Sequence, residues 1–107
     1  MNLLNFSKRY SGVVSLPNRE FEITGIRHDS REIVPGDLFV CMVGEKFDGH
    51  KFIDKAVQLG ASAVVIQEDH WAELSNVSVP IIVVRDTRKA LAPLASLVYG
   101  DPSSKML

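Results

Sequence analysis

Leu38-Phe39-Val40-Cys41-Met42-Val43, the polar loop Gly44-Glu45-Lys46-Phe47-Asp48-Gly49, the segment His50 to Leu59 closed by Gly60, and Ala63-Val64-Val65-Ile66 together decide the fold. Six consecutive apolar residues have strand length and no polar face, so they read as a strand buried on both sides. After Gly49 the period changes. Phe52, Ile53, Ala56 and Val57 fall on one helical stripe, and Gly60 stands where a helix stop belongs. Ala63 to Ile66 returns to a short apolar run, a further strand. Strand, helix, strand in this order is the unit of a parallel sheet covered by helices.

Working downstream, Ile81-Ile82-Val83-Val84 is another strand, and Asp86 caps a last helix running to about Tyr99. Pro93 lies inside that helix and is expected to kink it or mark a late start. Gln67 to Val79 is a polar connection with a helical turn around His70 to Leu74, where Trp71 serves as a local packing anchor. Upstream, Val34-Pro35-Gly36-Asp37 is a turn with proline at its second position, preceded by a strand over Phe21 to Ile26. Leu3, Leu4 and Phe6 suggest a short amphipathic helix ending near Ser11-Gly12. The expected fold is α/β: one domain over residues 1–107, with a small, mostly parallel or mixed sheet flanked by helices.

A chain of 107 residues with 46% hydrophobic and 23% charged residues suits one domain, burying roughly 65% of the surface its unfolded form exposes. The net charge of -1 gives no general attraction to nucleic acid or to an anionic membrane. No apolar run approaches the length of a membrane span, and Met1 to Tyr10 has no apolar stretch of signal-peptide type, so a cytoplasmic location is expected. The single cysteine, Cys41, has no internal disulfide partner. The chain stops at Met106-Leu107, apolar residues after a turn, as if a strand had just begun; it reads as one piece of a longer protein.

Polar groups concentrate in two loops, each set beside an apolar element. Gly44-Glu45-Lys46-Phe47-Asp48-Gly49-His50-Lys51 is a near miss to a phosphate-binding P-loop. That motif needs lysine directly after the second glycine, then Ser or Thr for Mg²⁺. Here His50 and Lys51 stand in those places, and Asp48 would repel phosphate, so ATP is not expected at this loop. A turn with an Asp48 helix cap accounts for the glycines without a ligand. A helix start beside a strand's carboxyl end is also a natural place for a polar or anionic ligand. Phe47, an aromatic in a charged loop, either dips into the core or stacks on a ligand ring.

The other loop is Asp29-Ser30-Arg31. Asp29 can hold Arg31 or cap the backbone, leaving Ser30 to donate to a ligand carbonyl. No G-x-S-x-G elbow surrounds Ser30, which argues against a nucleophilic serine. His28, Cys41, His50 and His70 show none of the short spacings of metal sites, and His50 at a helix start reads as a capping or surface residue.

The ordered series Asp29-Ser30-Arg31, Pro35-Gly36-Asp37-Leu38-Phe39-Val40, Gly44, Asp48-Gly49-His50 with Phe52-Ile53, and Gly60-Ala61 with Ala63-Val64-Val65 resembles the N-terminal domain of the Mur ligases. These are the cytoplasmic enzymes that build the peptidoglycan peptide. The resemblance continues through Val83-Val84 and Asp86-Thr87-Arg88-Lys89-Ala90-Leu91 to Tyr99-Gly100-Asp101-Pro102-Ser103, covering roughly residues 22 to 107. That ending is most similar to members that add meso-diaminopimelate or L-lysine to UDP-N-acetylmuramoyl-L-alanyl-D-glutamate. Phe47-Asp48-Gly49-His50 is equally at home in the members that add D-alanyl-D-alanine.

The resemblance implies that the domain grips the uridine-diphosphate end of the substrate. His28, Ser30, Glu45, Lys46 and Phe47 would be its contacts, and Asp29, Arg31, Asp48, Gly49 and His50 would support them. The family's ATP loop, Mg²⁺-holding carboxylates and modified lysine, and its amino-acid-selecting domain are all missing from the chain. The resemblance therefore implies no catalytic residue, metal site or cofactor within these residues, with ATP and Mg²⁺ used by the full-length ligase. A stand-alone nucleotide-sugar or interaction module of the same fold is the non-enzyme alternative.

Overall fold

The computed structural model describes residues 6–8, 10–17, 23–43, 49–69 and 77–99. Five strands form one mixed sheet: β1 (Val13–Ser15), β2 (Gly25–Arg27), β3 (Asp37–Val40), β4 (Ala63–Gln67) and β5 (Ile81–Val84), in the order β1-β5-β4-β3-β2. β2 to β5 are parallel and β1 is an antiparallel edge on β5. α1 (Ile53–Gln58) and α2 (Thr87–Tyr99) accompany 3-10 turns at Ser30–Glu32 and Gly49–Phe52, and residues 6–8 are helical within the N-terminal segment where a short helix was expected.

The all-apolar strands behave as their composition requires. Leu38, Val40, Ala63, Val65, Ile82 and Val84 pack on one face with Phe6, Ala90 and Leu94. Phe39, Cys41, Val64, Ile66 and Val83 pack on the other with Ile33, Ile53 and Ala56. Alternate residues of one strand thus enter opposite cores, which is why no polar position interrupts the run. Each fully buried aliphatic or aromatic side chain contributes about 1.5–3 kcal/mol.

Turn chemistry sets where the strands begin. Val34 to Asp37 closes on an Asp37 N–H to Val34 carbonyl bond of 3.1 Å, with Gly36 at φ 97°. Pro35 supplies the first central residue and only glycine adopts the second cheaply. Gly60 ends α1 at φ 106°, and its carbonyl accepts the Gly36 N–H at 3.1 Å, tying the helix stop to the turn before β3.

Several local expectations are revised. The strand expected over Phe21 to Ile26 lies at Gly25–Arg27, where Gly25 pairs with Asp37 at the start of β3; Phe21 and Glu22 lie outside the described residues. β1 was not legible: three residues, Val13-Val14-Ser15, carry too little pattern to register. The helix expected from His50 is a 3-10 turn followed by α1, and Phe52 at the junction adopts φ -108°, ψ 10°. Phe52 therefore leaves the buried stripe and is 39% exposed, while Ile53 and Ala56 remain buried. α2 does not start late: Thr87–Tyr99 runs as one helix with Pro93 in its interior. The expected turn over His70 to Leu74, with Trp71, falls outside the described residues.

Candidate functional site

β2 ends at Arg27, and the chain turns at once into His28-Asp29-Ser30-Arg31. Asp29 caps the 3-10 turn: its carboxylate accepts the Arg31 N–H at 2.9 Å. The same carboxylate takes the Arg31 guanidinium in two bonds, from Nε at 3.0 Å and Nη2 at 2.8 Å. Those hydrogen bonds, with the adjacent positive charge, lower the Asp29 pKa from 3.8 to about 2. Both structural roles expected of Asp29 are present, the pairing with Arg31 and the backbone cap. Ser30 is buried beside a pocket.

That pocket, of about 360 Å³, is lined by His28, Asp29, Ser30, Arg31, Phe52 and Lys55. It lies where the loop after β2 meets the start of α1, outside the carboxyl end of a parallel strand, the usual place for ligands in open α/β sheets. His28, Asp29, Ser30 and Arg31, all named from the sequence, line this one pocket. Phe52 and Lys55 were not anticipated. The helical stripe assigned Phe52 to the core, and nothing in the local sequence signals the change to 3-10 geometry that turns it outward. Glu45, Lys46, Phe47 and Asp48 lie outside the described residues.

Gly49 and His50 follow the second loop in the sequence. The Gly49 N–H donates to the Met42 carbonyl at 2.7 Å. A β-carbon at Gly49 would lie 2.9 Å from the Met42 nitrogen and 3.1 Å from the Cys41 Cα, so only glycine passes the strand end this closely. His50 is buried, not the capping or surface residue expected, and its Nε2 accepts the Gln67 N–H at 3.0 Å. The Gln67 side-chain carbonyl in turn accepts from the Thr87 N–H at 3.3 Å and its hydroxyl at 3.5 Å.

Among the described residues no group of three His, Cys, Asp or Glu side chains lies close enough to hold a metal ion. No helix among them is long and apolar enough to cross a membrane.

The architecture is that of a small α/β domain with a ligand-sized pocket at the carboxyl end of its sheet. Residues 22–99 match the family model described as "Mur ligase family, catalytic domain". The UDP-N-acetylmuramoyl-L-alanyl-D-glutamate--2,6-diaminopimelate ligase of Listeria monocytogenes is 42% identical over 97 residues, covering 91% of this chain and 18% of that protein. The UDP-N-acetylmuramyl-tripeptide synthetase of Roseiflexus is 40% identical over 106 residues, covering 99% of this chain and 20% of that protein. Among solved structures, MurF from Acinetobacter baumannii superimposes with a TM-score of 0.65 at 28% identity, covering 87% of this chain and 20% of that one. The chain belongs to the Mur ligase family. It spans about a fifth of the length of the curated relatives it matches.

Proposed function

We propose that this chain is the part of a peptidoglycan-precursor ligase that anchors the uridine-diphosphate end of UDP-N-acetylmuramoyl-L-alanyl-D-glutamate. The complete, cytoplasmic protein would add the third peptide residue, meso-diaminopimelate or L-lysine. The observation that carries the reading is the pocket combining a buried hydroxyl (Ser30), an outward aromatic (Phe52) and a cation (Lys55). Those are the three chemistries a pyrimidine diphosphate requires: a hydrogen-bond partner for the base edge, a flat surface, and positive charge. The names of the diaminopimelate-adding relatives support the choice of substrate.

In this reading the chain contributes no reacting group. In the complete ligase, ATP activates the substrate's far carboxylate and the incoming amine displaces phosphate, chemistry that belongs to the central and C-terminal domains of the same ligase. Holding the nucleotide end aims the carboxylate, so binding at a remote point is spent on orientation.

A second reading is favoured by the solved structures: the likeness to MurF makes the D-alanyl-D-alanine-adding paralogue the alternative. Assaying the complete protein on the dipeptide- and tripeptide-bearing UDP substrates separates the two.

Titration of the ¹⁵N-labelled chain with UDP, UDP-N-acetylmuramoyl-dipeptide and ATP tests the anchoring role. Amide shifts at His28, Ser30 and residues 45–49 with both uridine ligands, and none with ATP, are expected. Equal response to ATP, or none to the UDP-sugar peptide at millimolar concentration, would overturn the assignment.

A further inference from the structure

The Gly49–Phe52 turn is four residues long, too short to hold its own orientation, since a single 3-10 turn has few and poorly aligned bonds. Its rotation must come from what its side chains grip. At 3.0 residues per turn, positions two apart point to different sides. His50 goes inward and is 8% exposed, while Phe52 goes outward at 39% and lines the pocket.

The inward grip is specific. The last β3–β4 register pair is Val40 with Val65, and the Cys41 N–H still bonds the Val65 carbonyl at 3.0 Å. Two residues on, the Gln67 N–H faces the side that β3 has left, and the imidazole Nε2 of His50 meets it at 3.0 Å in place of a strand carbonyl. Accepting that bond requires the neutral ring with its proton on Nδ1. Gln67 is itself held, pairing with Val84 in β5 and accepting from fully buried Thr87 at the start of α2. His50 therefore docks onto a residue already fixed by β5 and the start of α2.

We infer that His50 is a positioning residue: its imidazole, bonded to the Gln67 amide, sets the rotation of the Gly49–Phe52 turn and so holds Phe52 and Lys55 in the pocket wall opposite Ser30. The inference rests on the pocket being the nucleotide site. Apolar packing alone would not produce the same arrangement, because Leu or Phe at position 50 would leave the Gln67 N–H without an acceptor.

The test has three arms on the 107-residue chain. Imidazole ¹⁵N shifts of the parent should show Nε2 unprotonated and Nδ1 protonated near neutral pH; the opposite tautomer would overturn the inference without any variant. UDP affinity should fall roughly fivefold in His50→Leu, the cost of ordering a side chain no longer held in place, and stay near the parent value in His50→Gln, whose amide oxygen can accept the same bond. A folded His50→Leu with parental UDP affinity would sink the inference. If the parent itself fails to bind UDP, the nucleotide assignment falls, and the third arm still judges the positioning claim. There, the Phe52 ring resonances and Gln67 amide exchange should change in His50→Leu and be restored in His50→Gln. Unchanged Phe52 resonances in a folded His50→Leu would reject it; if His50→Leu proved unfolded, displaced Phe52 resonances in a folded His50→Gln would reject it instead.

Discussion

Gly60 passes so close to Pro35 that a β-carbon at Gly60 would lie 2.9 Å from the Pro35 Cα and 3.0 Å from its Cγ. The contact joins the end of α1 to the turn that launches β3, and with Gly60 at φ 106° it excludes any L side chain. Gly60→Ala should cost about 2–4 kcal/mol, combining the unfavourable backbone region with a forced shift of Pro35. Urea unfolding at constant m would show it; a loss under about 1 kcal/mol would mean the turn relaxes freely.

A buried carboxylate organises the same corner. Asp37 is 2% exposed, accepts the Val34 N–H at 3.1 Å and pairs with Arg27 Nε at 3.4 Å. Asp37→Ala orphans the Val34 amide and should destabilise by about 1–3 kcal/mol. Arg27→Ala, whose side chain is 44% exposed, should cost less, about 1 kcal/mol. A double-mutant cycle measures the coupling, and equal single losses would contradict this ordering.

Acid titration offers a direct check on the Asp29–Arg31 pair. With the carboxyl lowered to about 2 by its Arg31 bonds, the pair's contribution is fully present above about pH 4. It is lost as pH falls through about 2, because the unfolded chain takes up the proton first. The ¹³C-detected Asp29 midpoint should sit near 2 and return toward 3.8 in Arg31→Gln.

Ligand contacts separate by chemistry. Phe52→Ala should leave the fold intact, since the ring is 39% exposed, and weaken uridine and UDP alike by about 1–2 kcal/mol. Lys55→Met should weaken UDP but not uridine, with the difference shrinking in high salt. Calorimetry with both ligands distinguishes base stacking from charge; identical losses for Lys55→Met would remove it from the phosphate end.

Ser30→Ala is expected to lower UDP affinity by about 1 kcal/mol, one hydrogen bond's worth, without unfolding the chain. An unchanged affinity in a folded variant would take Ser30 out of the site.

The parallel sheet was readable because its signal is local and redundant. Leu38 to Cys41 and Ala63 to Ile66 are apolar at every position, and only burial on both faces sustains that. Pro35-Gly36, Gly60 and the Asp86 cap were readable for a similar reason, since each residue type answers a backbone need at its own position. The Asp29–Arg31 pair spans two residues and needs no distant partner. The family's motif series added what physics alone would not, the expectation of a uridine-diphosphate ligand.

What only the tertiary structure decided depends on contacts between residues far apart in the chain. Val13–Ser15 becomes a strand because β5 offers an edge, not because three residues prefer it. Helical periodicity places Phe52 with Ile53 and Ala56 and assigns His50 to the surface. Yet Gly49 bonded to Met42 and His50 bonded to Gln67 wind the turn tighter, burying the imidazole and turning the aromatic out beside Ser30. The free energies of those two bonds belong to pairs seven and seventeen residues apart, so no reading of the local pattern contains them.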